Sequence, residues 1–362
     1  MTRRTILGIT LSLAAVGALA TSSHWAPLLA ARAGDLAHPR SAAQDDRFEY
    51  ASPTFTTWVE DSYRDGDGAD TQTFYRWFAD AYQRYPKHFP GKESLSLDQL
   101  LAAEKEDLAQ ISDPMKRTAA TLELCNWLHR MVKTVIPRFN LDRGFEFRYV
   151  VQKGERQCFL QSVLVSGLLQ RMGVDAGVAM VSRNIEGNPT NNGHAVSVVR
   201  LPDGTHTLVD CSDPTPFVRH QGLFVRVGGY RYVLPLYRGE SGVIRAYQLA
   251  STGKEVSPSQ VRLLDNGFLR SQFYFYRGER VAGGLLSSKP TPQALETSAD
   301  YLRESVKYCP GNPLAVFSLA RVYVKQGKTA EARAAMAEAH RAYTTAGWEP
   351  AGPRELLAHL GR

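Results

Sequence analysis

Apolar positions recur along this chain with two periods. Between residues 53 and 135 the spacing is helical. Phe74 to Tyr85 is rich in aromatics and Ser96 to Ile111 is amphipathic. Asp113 to Val135 predicts a long helix, with Asp113 as its N-cap and Pro114 in its first position. Phe145 to Val151 predicts a strand. A further helix is expected from Gln157 to Met172, where Leu160, Leu164, Leu168 and Met172 share a face that Phe159, Val163 and Val165 widen. That helix should be mostly buried, with Gly173 as its stop. Strands are expected near Ala176 to Ser182, His194 to Leu201, Thr205 to Cys211, Tyr230 to Leu236 and Gly242 to Tyr247, while residues 257 to 285 are ambiguous. Helices followed by antiparallel strands predict an α+β fold.

The ends of the chain differ in character. Met1 to Thr5 is short and basic, Ile6 to Ala20 is apolar, and Ala18-Leu19-Ala20 has the small-x-small form of a cleavage site. The apolar run is about 15 residues against the roughly 20 that a bilayer helix needs, so an export signal over 1–20 is expected rather than an anchor. Thr2-Arg3-Arg4-Thr5-Ile6-Leu7 also resembles a twin-arginine motif. The expected location is therefore periplasmic or secreted, by the Sec or the twin-arginine route. A flexible lead-in is expected over 21–46, a main domain over 47–286 and a Ser/Lys/Pro linker over 287–293. In 294–362, Asn312-Pro313-Leu314-Ala315, Leu319-Ala320, Tyr323, Gly327, Glu331-Ala332 and Ala339 resemble a tetratricopeptide repeat, preceded by half of another. Such arrays need about three repeats to stand alone, so this module is expected to pack on the main domain and to offer a surface to a protein partner.

Charge and cysteines narrow the chemistry. Setting Arg3 and Arg4 aside, the net charge falls from +7 to +5, with no Lys/Arg run dense enough to track a phosphate backbone. No nucleic-acid partner is expected, and no membrane contact beyond the signal. The chain has 4 cysteines. Cys125 lies in the periodic set Leu124, Leu128, Met131, Val132 and Val135, which predicts burial. Cys211 follows Asp210, and Cys309 precedes Pro310. Their spacings match no metal site, and no phosphate loop or paired His or Cys ligands occur, so no cofactor and no metal are expected. The acidic stretch Asp65 to Asp70 departs from a calcium loop at Ala69 and reads as a solvated turn.

Three residues carry the candidate chemistry. Cys158 falls in the first turn of its helix, where unpaired N–H groups and the positive dipole end favour a thiolate, and Arg156 adds a nearby positive charge. Its own N–H is placed to stabilise an oxyanion, with Gln157 as a candidate auxiliary. Leu201-Pro202-Asp203-Gly204-Thr205 predicts a hairpin with a three-residue loop and Gly204 left-handed. Leu201 then faces Thr205, Val196 faces Asp210, and His194 and Asp210 become diagonal neighbours on one face. A two-residue loop would turn them to opposite faces. His206 shares that face but sits at the hairpin tip and is expected at the surface. Asp213, beyond the counted strand, is the lesser rival to Asp210.

Gly154 to about Phe217 resembles the core of the transglutaminase-like (papain-like cysteine peptidase) superfamily. The matching residues are Gln157-Cys158-Phe159 opening a long helix, Gly173-Val174 ending it, Gly193-His194-Ala195-Val196 opening a strand, and Val209-Asp210 closing the next. Better-known members carry Trp where Phe159 and Val196 stand. The resemblance implies an α+β domain with a cysteine-bearing helix packed on an antiparallel sheet. It also implies Cys158 as nucleophile, His194 as general base and acid, and Asp210 as orienter. The expected activity is cysteine-dependent acyl transfer on a peptide or protein of the cell envelope, as amidase, peptidase or transamidase. The alternative is a non-catalytic scaffold that binds a partner through the repeat-like C-terminus.

Overall fold

The structure, a computed structural model, describes residues 46–64 and 70–361. The expected signal, the lead-in up to residue 45 and most of the acidic stretch lie outside these residues. Four helices come first: α1 (Pro53–Tyr63), α2 (Gln72–Gln83), α3 (Leu97–Gln110) and α4 (Pro114–Val135). Their starts are set by side chains that satisfy first-turn N–H groups. The Ser52 side chain accepts from Phe55, Ser96 and Gln99 form a capping box, and Asp113 accepts from Met115 and Lys116.

The segment read as a strand near Phe145 is instead a short helix, α5 (Phe147–Lys153). The alternation of Phe145, Phe147 and Tyr149 mimicked a pleat. Burial chooses Phe147 and Val150, one helical turn apart, and Phe147 packs edge-on to Phe55 and Phe74. Gly154, left-handed at φ 61°, ends the helix. Two short parallel strands, β1 (Arg138–Phe139) and β2 (Glu155–Arg156), then lead into α6 (Cys158–Arg171).

All of α6 from Cys158 to Gln170 is buried, and each of its Leu and Val side chains contributes about 1.5–3 kcal/mol by leaving water. Gly173 (φ 75°) turns the chain out of α6. The strands that follow are β3 (Ala176–Arg183), β4 (Pro189–Arg200), β5 (His206–Val209), β6 (Gly222–Arg226), β7 (Tyr230–Tyr237), β8 (Val243–Leu249) and β9 (Glu255–Val256). They are antiparallel in the order β5-β4-β3-β6-β7-β8-β9, and β5 also pairs with β8, which closes six strands into a barrel. Val181, Val196, Val198, Leu208, Leu223, Val233 and Ile244 pack together inside. The alternate positions Val178, Met180, Ala195, Val199 and Phe224 join α6 in the main core.

The ambiguous stretch resolves into a single 3₁₀ turn and α7 (Asn266–Glu279), whose aromatic side chains are all buried. Then come α8 (Pro292–Tyr308), α9 (Pro313–Lys325), α10 (Thr329–Ala346) and α11 (Ala351–Leu360). α8 packs closely along α7, where a Cβ on Gly278 would meet Leu302 Cγ at 2.6 Å. Among the described residues the architecture is α+β, helices around an antiparallel barrel. No described helix is long and apolar enough to cross a membrane.

Candidate active site

The site forms where the start of α6 meets the β4–β5 edge of the barrel. Gln157 is extended before the helix, and its side-chain oxygen accepts from the Phe159 N–H at 3.0 Å. Gln157 is thus buried and acts as the cap. Cys158 is the first helical residue and is 3% exposed, its Sγ lying 3.8 Å from the Gly193 carbonyl oxygen. The Cys158 N–H has no acceptor among the described residues. Arg156 is turned elsewhere: its buried guanidinium donates to Gln161 Oε1 (2.7 Å) and to the Ile136 carbonyl (2.9 Å).

Serines tie α6 to β3 and β4. Ser166 donates to the Gly177 carbonyl, Ser197 donates to the Ser162 carbonyl, and the Ser166 and Ser197 hydroxyls meet at 3.0 Å. Ser197 sits three residues from His194, so these buried bonds hold this part of β4 against α6.

The hairpin register is the one expected from its turn. Ser197 faces Val209 and Arg200 faces His206, the Leu201 N–H donates to Thr205 O at 2.7 Å, and Gly204 has φ 83°. Continuing this count brings His194 and Asp210 together, with His194 Nε2 2.7 Å from Asp210 Oδ2. Nε2 is thereby occupied, which leaves Nδ1 as the nitrogen for Cys158. The charge balance follows from these contacts. Burial alone opposes a charge on His194, but the bond to Asp210 and the contact with Cys158 outweigh it and raise its pKa to about 10. Burial alone also opposes a charge on Asp210, yet bonds from His194 and His220 hold its carboxyl well below the ordinary carboxylate range.

His220 was not anticipated. It precedes β6 in a loop without periodicity, and its buried Nε2 lies 2.9 Å from the same Asp210 oxygen. The other oxygen, Oδ1, accepts from the Ser212 N–H at 2.8 Å. Tyr276 on α7 was missed too, because its aromatic-rich segment gave no clean period. Its hydroxyl donates to the Gly193 carbonyl at 2.9 Å, and its ring packs 5.7 Å from that of Phe159. Burial and the charge of Cys158 push its hydroxyl pKa well up, while the Gln272 and Gln157 side chains oppose that shift.

His206 corrects an expectation. It is 2% exposed, with Nδ1 2.8 Å from the Tyr247 hydroxyl, and burial pushes its pKa down to about 3. The hairpin end is not a free tip, because β5 also pairs with β8 there and encloses the ring. Asp213 turns its carboxylate onto the N–H and hydroxyl of Thr215, and its carbonyl accepts from His129 (3.1 Å) and Lys133. All four cysteines are buried free thiols. Burial raises Cys125 and Cys309 to about 12 and Cys211 further still.

Two imidazoles and a carboxylate, with ligand atoms within 4.8 Å of one another, form the donor set a transition-metal ion would need. The fit is poor. His220 Nδ1 is buried without a partner, and metal on Nε2 would force a proton onto that nitrogen with nothing to accept it. Metal-bound imidazoles normally have such an acceptor. Comparison of the chain with protein-family models, with curated proteins and with solved structures finds no match.

Proposed function

We propose that this chain is a transglutaminase-like cysteine enzyme, an amidase, peptidase or transamidase. The observation that carries this reading is the partly buried 2.7 Å contact between Asp210 and His194, next to a cysteine in the first turn of a fixed helix. Asp210 steadies a basic imidazole, which takes the thiol proton of Cys158. The Cys158 sulfur then attacks a carboxamide or peptide carbonyl, and the free Cys158 N–H supports the developing oxyanion. His194 returns the proton to the departing amine or ammonia, leaving a thioester. Water resolves it to an acid, and an amine resolves it to a new amide, with His194 taking a proton from either. The cysteine helix packed on an antiparallel sheet also suits a transglutaminase-like core. The signal-like N-terminus supports an exported protein acting on envelope peptides or proteins, and the helical C-terminus supports a protein contact.

The burial of Cys158 favours a second reading, in which the core is a scaffold or latent form whose thiol no substrate reaches. Intact-mass analysis separates the two. Incubation with glutamine- and asparagine-containing peptides should leave an acyl adduct on Cys158, displaced by water or by an added primary amine and lost in Cys158→Ala. A mass that never changes across such a panel would favour the scaffold.

A further inference from the structure

We propose that His220 is a positioning residue of this site: it donates into Asp210 beside His194 and, by sharing one oxygen, limits how tightly Asp210 holds the proton of His194. The inference rests on the thiol–imidazole reading above and adds a fourth member to it.

The geometry is specific. His220 Nε2 and His194 Nε2 reach the same Oδ2, at 2.9 and 2.7 Å, and their rings sit 5.3 Å apart at 65°. His220 is fixed from behind, because its carbonyl accepts from the Tyr237 hydroxyl of β7 at 2.8 Å. Its Nδ1 is buried with no partner. A proton there would bury an unpaired donor, so the proton belongs on Nε2 and His220 acts as a neutral donor. Two N–H groups on one oxygen draw on the same negative charge, which each of them stabilises, so each is held less strongly than it would be alone. Ser212 keeps its hold on Oδ1 at 2.8 Å whatever occupies Oδ2. Removing His220 therefore changes the pull on His194 more than the direction of the carboxylate.

Other titratable groups stand around the pair but do not compete for that oxygen. Cys158 faces His194 from α6, and Cys211 follows Asp210 in sequence. His129 and Lys133 on α4 bond to the Asp213 carbonyl. Tyr276 on α7 bonds to the Gly193 carbonyl, and Arg219 pairs with the exposed Glu240.

Nitrogen-15 NMR of the full chain with labelled histidine reads both imidazoles directly. In His220→Phe, which keeps a ring and removes the donor, the upper inflection of His194 should rise by about half to one pH unit. In His220→Gln, whose side-chain amide can reach the same oxygen, it should return to the wild-type position. An inflection that stays put or falls in His220→Phe overturns the proposal. So does a wild-type spectrum with the His220 proton on Nδ1, a measurement that needs no variant to fold. These signals do not require Cys158 to react. A sluggish thiol would sink the enzymatic reading while leaving this result to stand or fall separately.

Discussion

Asp210 uses two oxygens for three donors, and the pH behaviour of the neighbourhood follows from that economy. His194, raised from 6.5 to about 10, contributes stability that is complete below pH 6.5 and is lost as pH climbs through 10. Asp210, depressed below the ordinary aspartate pKa of 3.8, contributes stability above that pH and loses it on further acidification. His206 acts at intermediate pH. Its pKa falls from 6.5 to about 3, so on acidification the unfolded chain gains a proton that the folded barrel refuses. Stability therefore drops across that window, by about 2–3 kcal/mol at pH 4.5. His206→Asn, which keeps a polar atom near Tyr247, should lower stability at pH 7 yet flatten the loss between pH 7 and 4.5 in urea unfolding. Parallel losses in both proteins would refute the burial argument. At this scale the sequence was partly legible. Cys158, His194 and Asp210 stood out because each opens or closes a segment with a readable period, although β4 itself begins five residues before His194, at Pro189. His220 and Tyr276 did not, since a loop residue and one tyrosine among many carry no local signal. His206 was misjudged because its environment is made by β8, far along the chain.

At the level of elements, the pairing of His194 with Asp210 depends on one turn. Pro202 and Asp203 occupy its centre, Gly204 takes φ 83°, and Asp203 Oδ1 accepts from the Thr205 N–H at 3.0 Å. A Cβ at Gly204 would meet nothing within 4 Å, so substitution there introduces backbone strain without a clash. Gly204→Ala should cost about 1–2 kcal/mol in chemical denaturation and leave the histidine–aspartate contact in register. A cost near zero would mean that the turn is not held left-handed. Turn chemistry is local, which is why this register could be counted from residue types. α5 shows the opposite case. Seven residues alternate like a strand, and only docking of Phe147 against α1 and α2 decides for helix. β6 escaped notice because five residues between glycines carry too little pattern.

Across the whole molecule, closure of β5 onto β8 does two jobs. It buries His206, and it anchors β5, whose end delivers Asp210 to His194. Long-range closure of this kind has no short-range signature, so the α+β class was legible while the barrel was not. The central claim is that helix start, strand end and hairpin together make Cys158 an activated nucleophile. It is tested most directly by iodoacetamide alkylation at pH 7, resolved cysteine by cysteine. A free thiol is only about 3% ionised at that pH, so a thiol that passes its proton to His194 should react on the order of tenfold faster, after allowing for weaker intrinsic nucleophilicity. Cys158 is predicted to show that excess and to lose it in His194→Ala and in Asp210→Asn, with Cys125, Cys211 and Cys309 far slower throughout. A Cys158 no faster than a free peptide thiol, or indifferent to both substitutions, would contradict the account.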